Sequence, residues 1–433
     1  MKGVASVASL TVRPLETDAD VETFFRLCVR TFWPEADQAT QFDWWYRFVT
    51  QTPGFEPRHV HAAFRGAEMV GGCVVHERTL LVPPAGLRTS CIALVATHAD
   101  YRRQGIARAV IEEVIRSAQD REHDLLLLGG IPNFYDQFGF VDIFDSTQHF
   151  IDRGYILAQP QSPYRVRPAA LEDASALLEL YTRHHQAYPG SFTRTVEEQR
   201  HRLRFRPTDN PPLLVLSPDG EPRGYLMCAS ATARERADEV AADTWPAALA
   251  LLQYQAHLLD GRPDPPAEIV WTLAPTSPTL YHLLDNTRFP SITPLPPYPN
   301  WYVMHSQRLH LPVAGWMARP ASLPVLIRNL LPRWNMRQRT YVPEWPGTLE
   351  LAIGDQTFLL GVRQGELQLV ERAVYTQRAV RLTEGAFTQL LFGFRPVTWI
   401  ARQPEQEIPE EMIPLLEGLF PPGQTWIAAS DAF

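Results

Sequence analysis

A chain of 433 residues is too long for one ordinary hydrophobic core, so two or three domains are expected. Its hydrophobic fraction of 45% and charged fraction of 20% are those of a soluble globular protein. Forty Lys and Arg against 48 Asp and Glu give a net charge of −8, which argues against a dedicated nucleic-acid binder and is compatible with a cationic substrate.

The opening MKGVASVASLTVRP lacks the sustained apolar run of a signal peptide. No stretch further on approaches the roughly 20 apolar residues that span a bilayer, so no membrane span is expected and a cytoplasmic location is the simplest reading. Residues 10–32, LTVRPLETDADVETFFRLCVRTF, read as a short strand, an acidic linker and an amphipathic helix. An aromatic cluster follows, Phe32, Trp33, Trp44, Trp45 and Tyr46, which could form a wall for an amine-bearing ligand or pack as helix core. Residues 59–82 read as a hairpin with Gly66 in its turn, and 88–98 as an apolar strand. Next comes YRRQGIARAVIEEVI, residues 101–115. Its helix puts Ile106, Val110, Ile111, Val114, Ile115 and Ala118 on one side and spaces Glu112 to meet Arg116. DLLLLGG, residues 124–130, is a short strand of the kind buried in parallel sheets.

Residues 164–185, YRVRPAALEDASALLELYTRHH, repeat the order strand, Val-Arg-Pro, acidic linker, helix. Two copies of one fold are therefore expected. The second copy has VAADTWPAALALLQYQAHLL (240–259) where the first has its Arg-rich segment, with Trp245 and Pro246 at the helix start, and the proline-rich tract 288–302 closes it. In the last unit, residues 348–371 alternate as strands with turns at Gly354–Asp355 and Gln364–Gly365, and 383–394 is helix-like. The cysteines, Cys28, Cys73, Cys91 and Cys228, lie far apart without CxxC spacing, so neither zinc ligation nor a disulfide framework is expected.

The charge at Arg102-Arg103-Gln104-Gly105-Ile106-Ala107 demands an explanation. A helix N-terminus carries unpaired N–H groups and a partial positive charge, so added cations there are unfavourable unless an anion binds. Gly105 lets a backbone approach such an anion closely, Ala107 leaves the helix start unobstructed, and Arg102, Arg103 or Arg108 could add charge-assisted bonds to a pyrophosphate.

This R-x-x-G-x-A segment, following a buried strand and preceding NFYDQFGF (133–140), resembles the cofactor motif of the GNAT acetyltransferases. The resemblance implies acetyl-CoA as cosubstrate, with Leu94, Val95, Ala96 and Thr97 lining it and Arg102, Arg103, Gln104, Gly105, Ile106 and Ala107 around its pyrophosphate. The order of units further resembles the Eis (enhanced intracellular survival) acetyltransferases. That implies an α+β architecture of tandem GNAT folds, mixed sheets with flanking helices: a catalytic GNAT domain over 1–158, a degenerate second one over 159–312, and a sterol-carrier-like domain over 313–433. Family members acetylate amines of aminoglycosides, polyamines or lysines and assemble as homo-oligomers, trimers or hexamers.

On the same resemblance Tyr135 is the general acid and the carboxylate of Phe433 the general base, while Phe32, Trp33 and Trp44 stand where the family's substrate helices lie. The match departs from the family pattern at Pro132-Asn133-Phe134, at Gln137 and at Phe140. A backbone N–H near Val95–Ala96 could polarise the thioester oxygen. His59, His61 and His76 have the spacing of strand residues, and His98 is the second-choice base. The competing reading is a non-catalytic acyl-CoA-binding or lipid-carrying protein.

Overall fold

The computed structural model describes residues 9–287, 303–310, 315–343, 347–372, 377–423 and 425–431. The proline-rich tract 288–302 and Phe433 lie outside them. The chain starts as read: strand β1 (Leu10–Pro14) leads into helix α1 (Asp18–Phe32), which Thr17 caps by accepting from the Asp20 amide at 3.1 Å. Helix α2 (Gln38–Thr50) carries most of the aromatic cluster.

Strands β2 (Val60–Arg65), β3 (Glu68–Val82) and β4 (Ala85–Thr97) continue from β1 as an antiparallel meander. Helix α3 (Ile106–Asp120) crosses over to β5 (Leu125–Gly129), which pairs parallel to β4. The run of leucines in β5 is apolar throughout because both its faces are covered. Leu126 and Leu128 pack in the α3 core, and Leu125 and Leu127 in the core shared with the last unit.

The second half repeats the topology, as its echo of the first predicts. Strand β8 (Arg165–Pro168) and helix α5 (Ala174–His185) lead to β9 (Leu213–Leu216), β10 (Pro222–Cys228) and β11 (Arg236–Ala242). Helix α7 (Trp245–Leu258) then crosses over to the parallel β12 (Glu268–Thr272), followed by α8 (Pro278–Asn286). Helix α6 (Val196–Arg204) follows α5.

Strand membership departs from the boundaries at 158 and 312. Past β5 the first sheet runs to β14 (Trp316–Pro320) and then to β6 (Val141–Asp142), while the second runs past β12 to β7 (Ser146–Asp152) and β13 (Met304–Leu309). The first sheet thus takes its sixth strand from beyond the second repeat, and the second sheet takes its sixth from the end of the first repeat. Short helix α4 (Arg153–Ala158), too, packs on α7 of the second unit. These strands were not legible because each is paired only with residues distant in sequence.

The last unit is a four-stranded sheet in the order β17 (Glu366–Leu369), β16 (Gln356–Arg363), β15 (Thr348–Ile353), β18 (Gln377–Leu382). Its two expected turns are present, as is the helix-like segment, α10 (Glu384–Leu391). Helix α9 (Leu323–Tyr341), unread in the sequence, seats Leu326, Ile327, Leu330 and Trp334 in the core shared with β4 and β5. The short helices α11 (Val397–Ile400) and α12 (Ile413–Leu419) complete the unit.

A buried ion cluster joins the three units. Asp431 of the tail meets Arg78 of β3 (2.8 Å), Arg194 (2.8 Å) and Arg202 of α6 (2.7 Å). Arg194 also grips Glu239 of β11 with two parallel bonds (3.0 and 2.8 Å) and lies 3.5 Å over the Tyr181 ring. Burial pushes the Asp431 carboxyl up, but the guanidiniums of Arg194, Arg202 and Arg78 outweigh it and hold the group below the ordinary carboxylate range. A depressed folded-state pKa stabilises the protein above the unfolded value of about 3.9 and is lost as pH falls below it. Urea unfolding should therefore show stability declining below about pH 4. Asp431→Asn should cost about 3–5 kcal/mol at pH 7, because it strands buried guanidiniums, and should flatten that decline. A native-like unfolding midpoint in the variant would show that the cluster does not hold the tail.

Candidate functional site

Strand β4 opens the site. Its register with β3 slips between the pairs Gly72–Ala96 and Val74–Ala93, and Leu94 takes a left-handed φ of 51°. This is a bulge. Parallel pairing with β5 stops at Ile92–Leu128, so the bulged residues Leu94 to Thr97 run on beyond the ladder, leaving backbone groups available to a ligand. On β3, Gly71 and Gly72 permit the close packing around the bulge. A Cβ on Gly71 would lie 2.7 Å from Ile106 Cγ2, and one on Gly72 only 2.5 Å from the His61 carbonyl.

From the bulge the chain passes through a tight turn, Ala99–Tyr101, to the Arg-rich segment. Arg103 (φ 61°) and Gly105 (φ 80°) are both left-handed, and α3 begins at Gly105 without a side-chain cap. A Cβ on Gly105 would meet nothing within 4 Å, so the glycine answers to backbone conformation rather than crowding. Arg102, Arg103 and Gln104 are exposed, and Gln104 Nε2 donates to the Asp100 carbonyl at 3.0 Å. Ile106 is buried and anchors the helix start, while Ala107 is half-buried. The expected Glu112–Arg116 pair is not formed. Glu112 lies 3.8 Å from Arg108, and Arg116 turns to Glu113 at 2.7 Å.

The equivalent helix of the second repeat starts with a side-chain cap and a proline. Thr244 Oγ1 accepts from the Ala247 amide at 3.3 Å, and Pro246 supplies no N–H.

Tyr135 sits at the start of the turn Asp136–Phe138, only 6% exposed, edge-on to Phe134 at 4.8 Å and to Phe140 at 6.1 Å. Burial, with a small contribution from nearby Cys73, pushes its phenol up to about 12. Gln137, where the family pattern has a basic residue, donates to the Phe134 carbonyl at 2.7 Å and accepts from Arg108. Arg319 of the exchanged strand β14 donates to the Phe138 carbonyl. The strand exchange thereby buttresses the tyrosine loop.

A cavity of about 310 Å³ lies between the two repeats. Trp44 and Phe48 of α2, His76 to Arg78 of β3, and His201, Arg202, Leu203 and Phe205 around the end of α6 line it, as does Ser430 of the tail. Of the three aromatic candidates only Trp44 is there. Phe32 is 42% exposed, and Trp33 stacks on Trp45 at 4.8 Å instead. Tyr135 and the bulge do not line this cavity; Cys73, beside Tyr135, lies on β3 about 10 Å along the strand from His76. His59 and His76 reach the cavity, with His59 Nε2 at 3.4 Å from Glu77. Burial holds His61 down at about 4 and His76 at about 3. His98 caps the turn before Arg102 by accepting from the Asp100 amide. His201, Arg202 and Phe205 were not found in the sequence, because only the tertiary fold brings α6 to the first repeat.

Residues 11–141 match the family model of the acetyltransferase (GNAT) domain. No curated protein matches the chain in sequence. Among solved structures, a probable N-acyltransferase of Enterococcus faecalis V583 superposes with a TM-score of 0.71 at 15% identity over 98% of this chain and 100% of that one. A GCN5-related N-acetyltransferase of Kribbella flavida gives 0.69 at 17%, and Eis1 of Mycobacterium abscessus 0.63 at 17%, each with the same coverage. Among the described residues no helix is long and apolar enough to cross a membrane. The bulged strand, the uncapped glycine-led helix and the tyrosine loop all fall within the matched region, so the chain carries an acetyltransferase domain of the GNAT family, a family that uses acyl-CoA, within an overall fold that resembles Eis1.

Proposed function

We propose that the protein is an N-acetyltransferase that passes the acetyl group of acetyl-CoA directly to a primary amine in a ternary complex. The observation that carries this reading is the uncapped, left-handed start of α3 at Gly105 directly after the β4 bulge. In it, the N–H groups of α3 and the guanidiniums of Arg102 and Arg103 take the pyrophosphate. The bulge residues Leu94 to Thr97 hold the pantetheine arm, and an amide near Val95–Ala96 polarises the thioester oxygen.

The amine nitrogen attacks the carbonyl carbon. A C–N bond forms, the C–S bond breaks, the phenol of Tyr135 gives its proton to the departing thiolate, and the amine gives up its own proton. The Phe433 carboxylate is the proposed acceptor of that proton. Holding both reactants in one cleft supplies much of the rate. The acceptor enters through the cavity, with Trp44 in its wall. By resemblance to the Eis proteins, a cytoplasmic homo-oligomer, trimer or hexamer, completes the proposal.

Tyr135→Phe should lower kcat by about 10²–10⁴-fold while leaving calorimetric binding of acetyl-CoA unchanged. Since burial holds the phenol near 12, it stays protonated through neutral and moderately alkaline pH. The kcat profile should then show no alkaline fall assignable to Tyr135 below about pH 11, and a limb near 10 that Tyr135→Phe removes would contradict this environment. Gly105→Ala should raise the Kd for acetyl-CoA by about tenfold, since a left-handed alanine costs about 1–2 kcal/mol. An unchanged Kd would move the pyrophosphate elsewhere.

A further inference from the structure

The loop that carries Tyr135 is held at both mouths by one strand. Strand β14 pairs with β5 up to Gly129–Trp316, just before the loop, and with β6 at Ala318–Val141 and Met317–Asp142, just after it. Two more backbone bonds tighten the mouths. The Gly130 amide donates to the Gly315 carbonyl at 2.7 Å, and the Ile143 amide to the Trp316 carbonyl at 3.1 Å. Between the mouths, the Phe138 amide donates to the Tyr135 carbonyl (3.0 Å) and the Gly139 amide to the Asp136 carbonyl (2.9 Å). Gly139 completes this turn with a left-handed φ of 82°.

The Phe138 carbonyl takes its donor from outside the loop, the Arg319 guanidinium of β14. That side chain is 16% exposed and offers its donors in three directions. Nη1 donates to Phe138, Nε to the Pro320 carbonyl at 3.1 Å, and Nη2 faces Glu384 Oε2 of α10 at 3.6 Å. Three partners fix the plane of the fork, as a single one could not. Glu384 is seated in turn. A Cβ on Gly354, in the β15–β16 turn, would already lie 3.4 Å from Glu384 Cγ. Helix α10 is also tied to the strand leaving the loop, for Gln389 Nε2 donates to the Asp142 carbonyl at 3.4 Å. Gly385 allows this approach, since a Cβ there would come within 2.9 Å of Val141 Cγ1.

We infer that the last unit positions the general acid, with Arg319 as the positioning residue and Glu384 as the group that orients it. The inference rests on the acetyl-transfer reading, in which Tyr135 protonates the thiolate, and deepens it. A proton donor must lie within hydrogen-bond reach of the departing sulfur, and a displacement of about 1 Å costs about a hundredfold in rate. Arg319 acts on this geometry through the Phe138 carbonyl, three residues from Tyr135. The same contacts keep the phenol enclosed. Loosening them admits water and lowers its pKa from about 12 toward its ordinary value near 10.

The test is the pH profile of kcat for the full chain and three variants, with acetyl-CoA and with tryptamine, spermidine and kanamycin as acceptors. Arg319→Met should lower kcat about ten- to hundredfold and leave KM for acetyl-CoA within about twofold. Only the protonated phenol donates, so this variant should also show kcat falling as pH rises through about 10, where the parent holds level. Arg319→Lys keeps a donor for the Phe138 carbonyl and should recover most of the lost kcat. Glu384→Gln, at a partly exposed side chain, should lower kcat about threefold with the same change of profile, and it decides the matter if Arg319→Met does not fold. Parent-like kcat and profile in the deciding variant would overturn the inference and leave acetyl transfer standing. If no amine is turned over, tyrosinate absorbance of each protein, less that of its Tyr135→Phe counterpart, reads the phenol directly. An increment below about pH 11 in Arg319→Met and not in the parent would refute the transfer reading while supporting the positioning, and equal titrations would refute the positioning as well.

Discussion

The arrangement of the three units depends on one buried carboxylate. Asp431 is fully enclosed, and so are the side chains of Arg194 and Glu239 beside it. Arg78 comes from the first repeat, Arg194, Arg202 and Glu239 from the second, and Asp431 from the tail. Such a cluster contributes little net stability over a well-packed apolar core, yet it tolerates no missing partner. Its effect is positional. By fixing Arg78 and Arg202, it sets the distance between β3 and α6, which form opposite walls of the cavity. Three guanidiniums around two carboxylates leave that cluster with a net positive charge.

The two repeats start their crossover helices differently. In both, a strand leads into a crossover helix that feeds a parallel neighbour. The first leaves its helix N-terminus open behind a left-handed glycine, with exposed arginines nearby. The second gives the Ala247 amide to Thr244 Oγ1 and has Pro246, without an N–H, in its first turn. The difference is a handful of side chains at a helix start, where unpaired N–H groups are concentrated. The second repeat contributes walls: His201, Arg202 and Phe205 face a cavity the first repeat alone could not enclose.

Exchange of the sixth strands makes the repeats interdependent. Strand β14 both extends the first sheet and brings Arg319 to the Phe138 carbonyl, under the turn that begins at Tyr135. Strand β7 performs the corresponding extension of the second sheet. The last unit closes the arrangement by covering the β4–β5 face opposite α3, so that β5 is enclosed on both sides.

Local features were legible in the sequence because their causes are local. The R-x-x-G-x-A segment, the amphipathic face of α3, the hairpin turn at Gly66 and the turns at Gly354 and Gln364–Gly365 each follow from residue types at fixed spacing. The repeat was visible for the same reason, since strand, proline and acidic helix start recur together. Nothing local marks β7 or β14 for the other repeat's sheet, or selects Trp44 for the cavity while Trp33 stacks on Trp45. Nor does spacing reveal that Arg78 and Arg194, more than one hundred residues apart, share the carboxylate of Asp431. Those choices belong to pairing and packing between distant segments, whose energies exist only once the chain has folded. The sequence by itself therefore determined the glycine-led helix start and the repeat, because both depend on neighbouring residues, and the tertiary structure alone decided which distant segments face one another across the cavity.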